Sequence, residues 1–254
     1  MGAIGRPLGE SFRQTMNQIK ELLLGILFPR RCPLCGKIVK WREGTACRKC
    51  REKEKPLVEP LCKKCGKPIL WEEAEFCFDC TRHAHFYECG GAVYLYEKKM
   101  KEAVRQLKYN NKREYADFFA EEIQKHLGSQ IQRWKPDVII AVPMHWRKRQ
   151  KRGYNQGEVL ARKTACLLGV PFRKNLVKKV VNTDSQKDLS REERKKNLKN
   201  AFKIKEPDVE LNVVLIIDDV YTTGSTVDAV AKVLLEHGVG KVYYISLCIG
   251  KGSS

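Results

Sequence analysis

Apolar positions divide the chain into an N-terminal helix, a cysteine-punctuated middle and a long stretch of alternating strands and helices. Phe12, Met16, Ile19, Leu23 and Ile26 recur at alternating spacings of four and three, which predicts an amphipathic helix over 11–28. Pro29 closes it. Its apolar stripe has to cover either the protein's own core or a partner or membrane surface. From Gly90 the texture changes. Ala92 to Tyr96 reads as a strand, helical patterns follow over 97–109 and 112–127, then a short strand over 137–142 and a helix over 155–168. Val213 to Ile217 is a continuous apolar run of buried-strand type, followed by a helix over 224–237 and a strand over 241–248. Strands alternating with helices predict an α/β fold, a doubly wound and mostly parallel sheet covered on both faces. Three parts result: the helix at 1–30, a cysteine module at 31–85 and an α/β domain at 90–250.

The middle part is an internal repeat of period 30, in which Cys32-Pro-Leu-Cys35-Gly-Lys answers to Cys62-Lys-Lys-Cys65-Gly-Lys and Trp41 to Trp71. Cys47 and Cys50 answer to Cys77 and Cys80 in the same way. Two Cys-x-x-Cys pairs complete one tetrahedral zinc shell, so the four pairs predict two structural Zn²⁺ sites with no open coordination position. Sequential pairing groups Cys32, Cys35, Cys47 and Cys50, then Cys62, Cys65, Cys77 and Cys80. A crossed pairing remains open, although the glycine after the first pair of each unit favours the sequential one. His83 and His85 follow Cys80, but four sulfurs already suffice. Cys166 and Cys248 fall on predicted core elements and read as small buried hydrophobes. No signal peptide is evident and no apolar run approaches a membrane span, so a soluble, cytoplasmic protein in a reducing compartment is expected.

The segment from Val213 to Thr226 carries the clearest chemistry. An apolar strand ends in the adjacent carboxylates of Asp218 and Asp219, then turns through Thr222, Thr223, Gly224, Ser225 and Thr226 into a helix. Carboxylates accept hydrogen bonds from the paired hydroxyls of a sugar. A turn rich in hydroxyls and backbone N–H groups at a helix N-terminus suits a phosphate. Charge widens the picture: 49 Lys and Arg against 30 Asp and Glu give a formal net charge of +19, which points to anionic partners. Arg147, Lys148, Arg149, Lys151 and Arg152 pack five cations into six residues between Trp146 and Tyr154, a pattern suited to single-stranded nucleic acid. A second basic face, Lys98, Lys99, Lys101, Arg105, Lys108 and Lys112, lies on or beside the helix over 97–109. The alternative for both is pyrophosphate binding or a solvated face.

The segment Asp218 to Thr226 resembles the phosphoribosyl pyrophosphate (PRPP) motif of type I phosphoribosyltransferases. Val142-Pro143, Arg152-Gly-Tyr-Asn-Gln156, Arg194-Lys-Lys-Asn197 running on to Ala201-Phe202, and the cysteine-rich start after Leu27-Phe28-Pro29 together resemble the ComF/GntX family. That resemblance implies a fold of phosphoribosyltransferase type with an N-terminal double zinc ribbon. It implies that Asp218 and Asp219 take the ribose hydroxyls, that Thr222 to Thr226 cradle the 5-phosphate, and that Mg²⁺ arrives with PRPP. It implies too that the loop beginning near Pro143 faces the pyrophosphate, and that 183–197 is the candidate closing loop, with Lys187, Arg191 and Arg194 to neutralise it. It further implies a role in natural competence, with incoming single-stranded DNA and competence proteins such as a DNA helicase as partners. Two functions follow: a working phosphoribosyltransferase, or a non-catalytic basic DNA-binding adaptor that keeps the fold.

Overall fold

A computed structural model describes residues 29–40, 43–71, 73–181, 198, 200–205 and 210–251. The expected helix over 11–28, Trp41 and the expected closing loop with Lys187, Arg191 and Arg194 lie outside the described residues.

Four strands form a wholly parallel sheet in the order β1 (Gly90–Leu95), β6 (Lys241–Ile249), β5 (Val213–Tyr221), β2 (Val138–Ala141). Alternation along β5 explains why both faces are covered. Leu215 and Ile217 join Val104 and Leu107 of helix α3 (Lys98–Tyr109), Phe118 and Phe119 of α4 (Tyr115–Trp134) and Leu160 of α6 (Gln156–Leu168). Val214 and Ile216 join Val227, Val230 and Leu234 of α7 (Ser225–Glu236) on the other face. Burying such a side chain contributes about 1.5–3 kcal/mol, so the four fully buried residues of β5 offset the several kcal/mol needed to hold charged groups at its end.

Two differences from the sequence reading matter for the site. The strand does not stop before the acids: β5 runs through Asp218 and Asp219 to Tyr221, because its ladder with β6 continues as far as Tyr221 opposite Ile249. The basic run is itself a short helix, α5 (Trp146–Arg152), closed by Gly153 in the left-handed conformation at φ 82°. Two further elements had no periodic signal, being only three residues each: β3 (Val177–Lys179) and β4 (Phe202–Ile204), an antiparallel pair outside the main sheet. Helix α4 also continues past the expected end at 127 to Trp134, and Lys135 ends it with a left-handed backbone before Pro136.

The two cysteine units, containing α1 (Arg48–Lys53) and α2 (Phe78–Arg82), pack directly on this body. From the first unit Arg51 donates to Glu122 at 2.8 Å and Glu121 at 2.7 Å on α4, with Tyr94 also donating to Glu122. In the second unit the Cys65 carbonyl accepts from the hydroxyl of Tyr244 on β6 at 2.6 Å. Gly66 is required there: its φ is 68°, and a Cβ would lie 2.8 Å from the Gly91 α-carbon.

Candidate functional site

Successive residues of a strand face opposite ways, so Asp218 and Asp219 diverge at the end of β5. Asp219 is 3% exposed and points toward α3, where its Oδ1 lies 3.0 Å from the ammonium of Lys108. Its Oδ2 is buried and has no hydrogen-bond partner. Asp218 turns one oxygen back to accept from the Asp219 backbone N–H at 2.8 Å. Desolvation, then the negative charge of Asp219, pushes the Asp218 carboxyl up to about 8, with Lys108 opposing the shift. Burial works against the Lys108 ammonium, yet Asp219 and Asp218 outweigh it and hold its pKa above the ordinary lysine value. Lys108, read from sequence as part of an outward basic face, therefore belongs to the acid pair.

After Tyr221 the chain turns through Thr222, Thr223 and Gly224 into α7. Gly224 has φ 78°, and a Cβ on it would collide with the Tyr221 hydroxyl. Thr223 and Ser225 share a hydroxyl contact at 3.0 Å, and the Ser225 backbone N–H donates to Thr223 Oγ1 at 3.5 Å at the start of α7. Beneath the turn lies a buried aromatic stack. Tyr221 lies flat on Tyr244, with centroids 4.6 Å apart, and its hydroxyl meets that of Tyr87 at 2.7 Å. His85, adjacent to that stack, has its Nδ1 2.6 Å from Asp228 in the first turn of α7 and stands outside both groups of clustered cysteine sulfurs.

The β2–α5 connection faces the same edge of the sheet. Asn155 pins it: its side-chain N–H donates to the Val142 carbonyl at 3.1 Å while its oxygen caps α6 at Gly157 N–H. His145 caps α5. Its pKa is lowered by burial and by the positive charges of Arg147, Lys179 and Lys148. Lys179, on β3, is pushed down to about 8 by burial and by Lys148, with Asp218 pulling the other way. Cations that depress one another in this way favour an arriving anion. Sequence reasoning missed Lys179 and His145, because neither sits in a periodic or phosphate-type pattern. A separate cavity of about 880 Å³ lies between α7 and β4, lined by Phe86, Phe202, Lys203, Ser225 and Lys232. It meets the turn at Ser225.

The cysteines assemble sequentially, resolving the alternative left open by their spacing. Cys32, Cys35, Cys47 and Cys50 form one tetrad and Cys62, Cys65, Cys77 and Cys80 the other, the sulfurs of each lying within 4.8 Å of one another. Separations of 3.6–3.7 Å within the tetrads match the edge of a tetrahedron with zinc–sulfur bonds of about 2.3 Å. The residues fit structural zinc. Cys248 is buried as expected, whereas Cys166 is exposed, because α6 turns Leu160, Ala161 and Ala165 inward.

The phosphoribosyl transferase domain model matches residues 108–254. The chain belongs to that family. A double zinc ribbon domain model matches residues 23–81. Among relatives, DNA utilization protein YhgH of Salmonella typhimurium is 38% identical over 57% of this chain and 65% of its own length. Competence protein F of Haemophilus influenzae is 38% identical over 42% of this chain and 48% of its own length. Competence protein ComFC of Bacillus subtilis is 27% identical over 82% of this chain and 89% of its own length. The chain thus spans about half to two-thirds of the first two relatives.

In this phosphoribosyl transferase domain the basic run is less free than its sequence indicates. Arg149 lies 3.4 Å from Glu158, and Arg152 donates to Gln156 at 2.5 Å while stacking over Tyr109. Trp146 is 61% exposed with Arg147 over its ring, but Tyr154 is buried at 5% and unable to stack on a base. Its hydroxyl donates instead to the Leu107 carbonyl. Among the described residues no helix is long and apolar enough to cross a membrane.

Proposed function

We propose that this protein binds PRPP or a closely related ribose phosphate at the carboxyl end of β5 and acts in natural competence, on incoming single-stranded DNA. One observation carries the sugar-phosphate reading: the buried carboxylate of Asp219, with one unpartnered oxygen, stands beside the half-buried Asp218 and next to a glycine turn at a helix N-terminus. Free carboxylate oxygens accept hydroxyl donors, and the turn supplies donors for a phosphate. Lys148 and Lys179 supply positive charge on the opposite side, where a pyrophosphate would extend, and His145 beside them is kept neutral by burial and by that charge. Mg²⁺ enters with the ligand, held by its phosphate oxygens. Chemistry at such a site is displacement at the anomeric carbon, with positioning and charge neutralisation as the protein's contribution.

The names of the relatives and the charge of +19 support the competence and DNA part of the reading. Calorimetric titration with magnesium-PRPP tests the ligand. Absence of heat, or an unchanged signal in Asp218→Ala/Asp219→Ala, rejects it. Pyrophosphate release on addition of nucleobases distinguishes the transferase from the adaptor that binds without transfer.

A further inference from the structure

The cations of α3 divide into two groups. Lys99 pairs with Glu54 at 3.3 Å and Arg105 with Glu102 at 2.7 Å, both at the surface. Lys108 turns inward and is mostly covered. The last carbonyls of a helix have no partner within the helix. At the end of α3 one of them, that of Leu107, accepts the hydroxyl of Tyr154, and Arg113 lies 4.4 Å over the Tyr154 ring. Leu107 is fully buried. The point from which the Lys108 stem leaves the helix is therefore fixed from both sides, by the core under Leu107 and by the segment joining α5 to α6.

An ammonium donates and never accepts. Placed 3.0 Å from Oδ1 of Asp219, it leaves Oδ2 as the acceptor still to be satisfied, inside a residue that is 3% exposed. A buried polar atom without a partner is costly, and a hydroxyl from a ligand recovers that cost. We infer that Lys108 is a positioning residue of the sugar-phosphate site, anchoring one oxygen of Asp219 so that the other receives a sugar hydroxyl. This rests on the reading of the site proposed above.

The groups facing the acid pair set the expected pH behaviour. Asp218 is faced by Asp219, by Lys108 from α3 and by Lys179 from β3. Asp219 is faced by Lys108, Tyr96 after β1, Tyr154 before α6 and Cys248 on β6. Lys108 holds the Asp218 carboxyl down against burial and Asp219, so its removal sends that carboxyl higher.

The test is magnesium-PRPP affinity from about pH 6 to about pH 9 for the full chain and its Lys108→Met and Lys108→Arg variants. Wild-type affinity rises as the pH passes about 8, where Asp218 becomes a pure acceptor. Lys108→Met binds about tenfold more weakly at neutral pH, equivalent to about 1.4 kcal/mol, and its rise moves to higher pH. Lys108→Arg keeps the wild-type midpoint. A role in packing alone lowers affinity without moving the midpoint, and that result overturns the inference, as does wild-type affinity in Lys108→Met. If Lys108→Met does not fold, Lys108→Gln removes the charge while keeping a polar, hydrogen-bonding end on a shorter side chain. Titration of the Asp218 carboxyl by NMR without ligand reads the same coupling separately: an unshifted carboxyl in the Lys108 variant overturns the inference whatever PRPP does. A wild-type chain that gives no heat with magnesium-PRPP, while the Asp218 carboxyl moves in the Lys108 variant, rejects the ligand reading and leaves the coupling of Lys108 to the acid pair standing.

Discussion

The phenol of Tyr221 fills the space that a side chain at Gly224 would need. Strand β5 and the turn after it are thus locked together by one residue of each. Replacing Gly224 by Ala adds about 1–2 kcal/mol of left-handed backbone strain to this collision, and the turn has to move. Gly224→Ala is expected to weaken PRPP binding by about tenfold or more. The double variant with Tyr221→Phe recovers part of it, since ring carbons remain 2.8 and 3.1 Å away. Titration of both variants checks this, and full affinity in Gly224→Ala contradicts it.

Arg51 and Glu122 join the first zinc unit to α4 at 2.8 Å, and Glu122 is nearly inaccessible. Arg51→Met leaves a buried carboxylate with only the Tyr94 hydroxyl and His126, 3.4 Å away, beside it. Loss of one partner of a buried pair costs about 3–5 kcal/mol, whereas Arg51→Met with Glu122→Leu is expected to be close to neutral. Denaturant melts of the three proteins at constant zinc measure the difference.

Asp218 gives stability a pH dependence of known sign. Its carboxyl titrates at about 8 in the folded chain and at the ordinary value of 3.8 when unfolded. Between these limits the folded chain binds the extra proton, so this group's contribution is complete below about pH 4 and is lost as pH rises to about 8. Asp218→Asn removes the dependence. The stability of wild type relative to that variant should fall across the window, and a flat or rising difference refutes the account of Asp218.

Binding to single-stranded oligonucleotide should weaken steeply with salt, since cations at α5 displace counterions from phosphates. Each phosphate contact contributes about 0.7 to the logarithmic slope, so Arg147→Glu with Lys151→Glu reduces it by about one and a half. Fluorescence anisotropy over a salt series measures this. A salt-independent affinity eliminates α5 as a DNA surface.

Much of this was legible in the sequence because its signals were local. The cysteine repeat marked eight zinc ligands and favoured their sequential pairing, and the run from Val213 to Thr226 announced a buried strand, an acid pair and a phosphate-type turn within fourteen residues. What escaped depends on contacts between distant segments. Lys108 looked like one of several cations on an exposed face, and only the closure of α3 over β5 puts it on Asp219. Tyr154 looked like an aromatic beside a basic run, but the helix end at Leu107 claims its hydroxyl. Lys179 lies in a three-residue strand with no periodicity to read, and its depressed pKa arises from burial in the fold and then from Lys148, thirty-one positions earlier.

The most direct test is a crystal of the zinc-loaded chain soaked with PRPP and magnesium. The ribose hydroxyls are expected on the carboxylates of Asp218 and Asp219, with the 5-phosphate in the turn from Thr222 to Thr226. Density for the ligand in the cavity between α7 and β4 instead, with both acids unengaged, contradicts the central claim.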